Sequence, residues 1–363
     1  MKFKLDKSQI QIQRAARDFV KGEFTAERCG EYIESHTFPK TLLAKAAELG
    51  FIGGHFPEAY GGQELGWFDM VLIGETLCMG DASLGAGLMR TIHGAGLLLE
   101  YGSEEQKAHW LPRMTDGEIL CCEAVDGVLA LEDGDHWLIT GHSDLVVNAG
   151  QLAGCALVLC RNEAGDGASV ILVEIDRKGV ECRNPGKVLG AQISDMAHMV
   201  FNQVRVPLGH VVGRRGRGLK QYETCQADTW LMESALVLGM AQGAHDRAAV
   251  HAKKRVQFGN PLIAFQAIRH KLSDMAAQIQ AARLMVYQAA WLRDQGKRDG
   301  KLSAMAKLNA DQAAAFACDE AIQILGGYGY IDEFEVERYF REARFSQTLF
   351  GNSTVLKDTI TRA

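Results

Sequence analysis

No stretch of this chain reaches the roughly 18 consecutive apolar residues of a membrane-spanning helix, so a membrane is not an expected partner. Positive charge is in deficit. Lys and Arg number 39 against 45 Asp and Glu, a formal net charge of -6. Gly213-Arg-Arg-Gly-Arg-Gly is a short basic loop and no long basic run exists, so nucleic acid is not an expected partner either. The start, Met1-Lys-Phe-Lys-Leu-Asp-Lys, has no apolar signal core. The nine cysteines lack metal spacing: Cys121-Cys122 and Cys155…Cys160 fit no zinc pattern. His142, His198 and His270 have no ligand-spaced partner, so no metal site is expected. Buried reduced thiols in a cytoplasmic protein are the expectation. Repeats and low-complexity tracts are also missing. What remains is an ordinary globular composition, 47% apolar and 23% charged, long enough for two or three structural units.

The pattern changes twice along the chain. Residues 1-115 read as helices. Ile10, Ile12, Ala15, Ala16, Phe19 and Val20 have helical spacing. Thr41 to Leu49, Leu65 to Gly80 and Ser83 to Tyr101 are further helices, with Gly50 closing the first. Pro57-Glu-Ala-Tyr-Gly-Gly is a turn. Ser103 and Gln106 form a capping box at the next helix, which leads to Trp110-Leu-Pro. Residues 116-218 hold short β-rich runs beginning at Trp137, Cys155, Ser169 and His198, punctuated by Gly and Asp. Residues 219-363 return to long helices: Leu231 to Lys254, Gln266 to Gln295, Gly300 to Leu325 and Ile331 to Arg344. Arg338, Arg341 and Arg344 alternate with Glu337 and Glu342 as on an ion-paired helix face, and Tyr328 and Tyr330 are packing or interface groups. The fold class is α+β, mainly α: an N-terminal helical domain, a small middle β-domain and a C-terminal four-helix bundle.

Two motifs carry a resemblance. Arg255-Val-Gln-Phe-Gly-Asn-Pro-Leu interrupts the helical pattern, with Pro261 marking the next helix start, and is followed by Phe265-Gln266. Gln323-Ile-Leu-Gly-Gly-Tyr-Gly comes later. With these, the chain resembles the acyl-CoA dehydrogenase family of flavoproteins over nearly its whole length. The resemblance implies α,β-oxidation of an acyl-CoA thioester with FAD. It also implies that Arg255, Phe258, Gly259, Gln323, Gly326 and Gly327 reach across a subunit interface to the neighbour's FAD. Arg255 suits phosphate as a permanent, bidentate donor. Glycines let backbone N–H groups come close to it.

The same resemblance implies that other groups are missing. The flavin-binding threonine aligns with Cys122 and its proline with Ala124, and the Ala-Gly-Ser-Asp turn is deleted. The aromatic wall aligns with Leu145 and a second threonine with Val147, whereas Asn148 and Gly150 are kept. The chemistry needs a carboxylate near the α carbon and hydrogen bonds to the thioester carbonyl. Of the two family base positions, one holds Phe350 and the other Thr229, with Trp230 next to it, so no catalytic base is assigned. Asp228 and Glu233 are nearby carboxylates. Asp228 points about 100° away from Thr229; it is either a solvated residue or a relocated base.

Three functions follow from this pattern. The first is the degenerate subunit of a heteromeric dehydrogenase, completing the FAD site of a homologous catalytic partner. The second is a homomeric FAD enzyme with a displaced base or altered acyl-CoA chemistry. The third is a non-enzymatic scaffold or acyl-CoA binding protein. Electron-transfer flavoprotein is the electron acceptor the family implies.

Overall fold

The computed structural model describes residues 4–163, 165 and 167–362, so the charged start lies partly outside the described residues. These open with helices α1 (Lys7–Glu23), α2 (Ala26–Ser35), α3 (Lys40–Glu48), α4 (Trp67–Gly80), α5 (Ala82–Met89), α6 (Ala95–Tyr101) and α7 (Glu104–Thr115). The capping box forms: the Ser103 hydroxyl accepts from the Gln106 N–H at 3.1 Å, and the Gln106 side chain accepts from the Ser103 N–H at 2.9 Å. Gly50 and Gly61 take φ values of +72° and +82°, where glycine carries no Cβ penalty. Helix α2 escapes the apolar pattern because Cys29 is its one buried residue. Thr25 caps it instead, accepting from the Arg28 N–H at 3.3 Å.

The single helix expected over Ser83 to Tyr101 is broken. Arg90–Ile92 form a 3₁₀ turn, His93 is extended and Gly94 has φ +89°. The cause lies in the neighbouring strands. The Asn148 amide donates to the carbonyls of Arg90 at 2.9 Å and Cys121 at 3.2 Å. A Cβ on Gly94 would sit 2.8 Å from the Cys121 carbonyl oxygen.

Strands follow: β1 (Leu120–Ala124), β2 (Val128–Asp133), β3 (His136–Val147), β4 (Ala153–Asn162), β5 (Ala168–Glu174), β6 (Val180–Arg183), β7 (Met196–Pro207) and β8 (Val211–Val212). They form one sheet in the order β6-β7-β3-β2-β4-β5-β8, with β1 parallel to β4. Residues Trp137, Ile139, Val204 and Val206 point into its core. Beyond β3, the Asp195 carboxylate accepts from the N–H groups of Gln151 at 2.7 Å and Leu152 at 2.8 Å. Gly150 has to be glycine there, since a Cβ would meet that carboxylate at 2.1 Å.

The chain ends in α8 (Gly218–Lys254), the hairpin β9 (Val256–Gln257) and β10 (Asn260–Pro261), then α9 (Gln266–Asp294), α10 (Gly300–Leu325), α11 (Val336–Ser346) and α12 (Ser353–Arg362). Pro261 does not start α9. It sits in β10, and a 3₁₀ turn over Leu262–Ala264 intervenes. The ion-paired face expected on α11 holds for Arg341 and Glu337, joined at 3.0 Å. It fails for Arg338 and Glu342, which are buried. Arg338 turns towards Asp81 at 3.5 Å, and Glu342 accepts from the Ser83 hydroxyl at 2.9 Å and the Ala191 N–H at 2.8 Å.

One apolar core runs through Phe19, Leu43 and Ile73 of the early helices and Leu236, Ile279 and Ala313 of the late ones. The helices on either side of the β segment are therefore packed against each other. Every residue from Met70 to Cys78 in α4 is buried, because α4 crosses α8 and abuts α9. Glu75 ties it there, accepting from the Arg283 Nε at 2.9 Å and the Tyr287 hydroxyl at 2.8 Å. Gly239 makes the crossing possible: a Cβ on it would lie 2.3 Å from the Glu75 carbonyl oxygen. Exchanging glycine for alanine inside a helix normally gains about 0.5–1 kcal/mol. Here the clash is with backbone, and overpacking costs about 1–3 kcal/mol. Gly239→Ala is expected to lower stability by about 1–3 kcal/mol in urea unfolding; a stabilised variant would show that the crossing yields.

Candidate active site and cofactor-binding surface

Two separate regions collect the residues singled out in the sequence. The first is a surface beside the β9–β10 hairpin. Helix α8 ends when Arg255 turns extended. Phe258 and Gly259 then take φ values of +51° and +78°, as a two-residue hairpin turn with both central residues left-handed requires. Phe258 is 90% exposed and Tyr330 is 85% exposed. Helix α10 stops at Gly326, whose φ of +60° and ψ of −133° suit only glycine. Arg255, Gly326, Gly327 and Tyr328 line an open hollow of about 520 Å³ here. The Arg255 guanidinium lies 5.4 Å from the Tyr328 ring centre, and among the described residues no carboxylate pairs with it. Gln323 is exposed on the last turn of α10. Nothing in this chain comes within 4 Å of where a Cβ on Gly327 would be. Its own packing gives no reason for a glycine there.

The second region is a cleft of about 660 Å³ between the sheet, α8 and the segment after α11. Leu145, Val147 and Phe350 line it, together with Glu123, Asp126 and Asp144. No Lys or Arg lines it among the described residues. Cys122 faces away, into the sheet core, with its sulfur 3.7 Å from that of Met199. Phe350 stands at φ +55° with its ring centre 4.4 Å from that of His93. Its carbonyl accepts from the Trp230 indole at 2.8 Å and the Gln226 amide at 3.3 Å. The Trp230 side chain is thus committed to holding the Phe350 backbone.

Thr229 lies elsewhere, on a neighbouring cavity of only about 60 Å³. That is space for a few waters and not for an acyl chain. Asp228 shares this cavity and is ion-paired there. It accepts from Arg293 at 2.8 and 3.2 Å and from Arg298 at 3.0 Å.

The space beneath is filled by a buried polar network that the sequence pattern does not reveal. Glu233, one helical turn beyond Thr229, is fully buried and receives a two-pronged bond from Arg90, at 3.0 Å on each side. His93 adds a contact at 3.0 Å and Arg90 also donates to Ser346 at 2.7 Å. Burial pushes the Glu233 carboxyl up, but Arg90 and the His93 hydrogen bond outweigh it and hold the group well below the usual carboxylate range. Buried Lys307 continues the network, bonding Asp311 at 2.6 Å and the Ser346 carbonyl at 2.9 Å. The one available signal was Arg90 itself, a lone charge in the apolar run from Ala82 to Ile92.

The N-terminal domain model of the acyl-CoA dehydrogenases matches residues 6–118 and the C-terminal domain model residues 216–363. A probable acyl-CoA dehydrogenase of Bacillus subtilis is 33% identical over all of this chain and 99% of its own length. This chain belongs to the acyl-CoA dehydrogenase family. An acryloyl-CoA reductase (NADH) of Anaerotignum propionicum is 31% identical, covering 100% of this chain and 95% of that protein. The solved butyryl-CoA dehydrogenase of Megasphaera elsdenii superposes with a TM-score of 0.93 at 29% identity, covering 100% of this chain and 99% of the other. Helices, small β segment and C-terminal helices are thus the acyl-CoA dehydrogenase fold. No helix among the described residues is long and apolar enough to cross a membrane, and no group of metal-ligating side chains is assembled among them. All nine cysteines are free and eight are buried, Cys182 being half-buried, as the reduced-thiol expectation has it.

Proposed function

We propose that this acyl-CoA dehydrogenase family member acts as the degenerate subunit of a heteromeric enzyme, completing the FAD site of a homologous catalytic subunit. FAD is the cofactor of the assembly and supplies the hydride acceptor when bound. The observation that carries the proposal is an unpaired Arg255 on an open, glycine-lined surface, set against a cleft in the same chain that Glu123, Asp126 and Asp144 line and no Lys or Arg does among the described residues. A diphosphate fits the first and not the second. Arg255 would hold phosphate, Gly326 and Gly327 would admit it to backbone N–H groups, and Gln323 and Phe258 would flank it. In the cleft, Leu145 replaces an aromatic wall, and Glu123, Asp126 and Asp144 repel an anion.

The base positions support the same reading. Phe350 takes no proton, Thr229 faces a cavity of only about 60 Å³, and Asp228 is ion-paired with two guanidinium groups. Acyl-CoA oxidation is then the partner's task, with its electrons passed to an electron-transfer flavoprotein, and a cytoplasmic setting suits both. The test is to purify the chain alone and together with a homologous subunit from the same host, recording visible spectra and turnover. Flavin in the complex and none in the lone chain is expected. Bound flavin and turnover in the lone chain would instead make it a homomeric enzyme.

A further inference from the structure

We propose that Phe350 keeps acyl tails out of this chain by walling its cleft off from the small cavity behind it. The two spaces are neighbours: Glu123, on β1, lines both the 660 Å³ cleft and the 60 Å³ cavity. Phe350 lines only the cleft and His93 only the cavity, and their ring centres are 4.4 Å apart. The Phe350 ring is therefore the partition. In front of it stand Leu145, Val147 and Leu349. Behind it stand Ile92, Leu97 and Met232, apolar side chains that suit a hydrocarbon tail. Without the ring, its own volume and the cavity would extend the cleft inward.

The backbone holds the ring there against strain. A φ of +55° is a rare setting for a bulky residue. It persists because the Trp230 indole donates to the Phe350 carbonyl at 2.8 Å and the Gln226 amide at 3.3 Å. Gly351 follows at φ +127°, and a Cβ on it would lie 3.1 Å from the Trp230 Nε1. On the other side Leu349 is buried in a cluster with Val147, Ala191 and Met196. The chain is thus fastened on both sides of Phe350, and the ring cannot swing aside without giving up these contacts.

An assembly of similar subunits needs the ligand kept from the wrong site as well as admitted to the right one. Glu123, Asp126 and Asp144 turn away an anionic head, and Phe350 turns away the tail. This purpose rests on the reading of the chain as a non-catalytic subunit. The wall itself needs neither the partner nor flavin.

The test is binding of straight-chain alkanols, from propanol to octanol, to the full chain by ligand-observed NMR titration. Neutral alcohols escape the repulsion of the acids. In the wild type, affinity should stop rising once the tail meets the ring. In Phe350→Ala it should go on rising beyond that length, by about fourfold per added methylene group. If Phe350→Ala does not fold, as its melting curve would show, Phe350→Leu keeps a smaller apolar group there and should give the same trend with a smaller rise. Equal dependence on tail length in wild type and folded variant overturns the assignment, as does a wild-type affinity that climbs steadily to octanol. Neither result touches the flavin content of the complex, so the subunit reading would still stand. Flavin and turnover in the lone chain would sink that reading and leave the wall in place.

Discussion

Arg255→Ala is expected to weaken FAD retention by the assembled complex about 10- to 100-fold while leaving the subunit's own stability unchanged. A charge-assisted hydrogen bond contributes about 1.5–3 kcal/mol, and each 1.4 kcal/mol is tenfold in affinity. The two halves of the prediction come from one geometry. Arg255 is exposed, its guanidinium lies over the Tyr328 ring, and no carboxylate pairs with it among the described residues. Its removal opens no cavity and orphans no buried group, so melting of the isolated chain should not move. Arg255→Lys should restore the charge without the planar fork and recover FAD only in part. Flavin content of the purified complex, read against protein concentration after extensive dialysis, is the measurement. Full occupancy in Arg255→Ala would remove the role given to this surface, and a fall in stability of the lone chain would mark Arg255 as structural.

Arg90→Met carries the largest expected effect on stability, a loss of about 3–5 kcal/mol, because it strands the fully buried Glu233 without its guanidinium. Methionine fills much of the arginine volume, so the cost is chiefly electrostatic and not a cavity. The comparison that isolates it is the double variant Arg90→Met, Glu233→Met. With both charges gone, part of the loss should return, since buried ion pairs often give way to apolar pairs at little cost, the rest reflecting buried Glu342, which Arg90 also faces at 3.7 Å.

Acid should expose the same pair. The folded Glu233 carboxyl lies well below its ordinary value, because Arg90 and His93 overcome the effect of burial. Its contribution is therefore complete above the unfolded value of about 4.3 and is lost as pH falls through the folded value. Wild type should lose stability more steeply between pH 5 and pH 3 than the double variant, measured by urea unfolding at each pH. Parallel pH curves would mean that the pair titrates alike in folded and unfolded chains.

The packing around Arg90 also explains how this chain differs from an open acyl site. Phe350 rests on His93, His93 on Glu233, and Glu233 on Arg90. Each group closes space for the next. Asn148 fixes the underlying break between α5 and α6 from the sheet side. A single replacement of Phe350 by glutamate would thus place a carboxylate against His93, already committed to Glu233, and would not rebuild a base site by itself.

The sequence by itself determined the order of helices, strands and helices and the Ser103–Gln106 cap. Apolar spacing, Gly and Pro punctuation and the Ser103–Gln106 box act over a few residues, and their physics is local. It also located the residues of the Arg255 and Gln323 motifs, because each motif is contiguous. Tertiary structure alone decided the break at Arg90, the burial of Arg338 and Glu342, the pairing of Asp228 and the place of Glu123 between two cavities. Those outcomes join residues more than 50 positions apart, such as Arg90 with Glu233 and Asn148 with Arg90. A buried charge is tolerated only where its partner arrives in space, and no periodicity along the chain records that meeting.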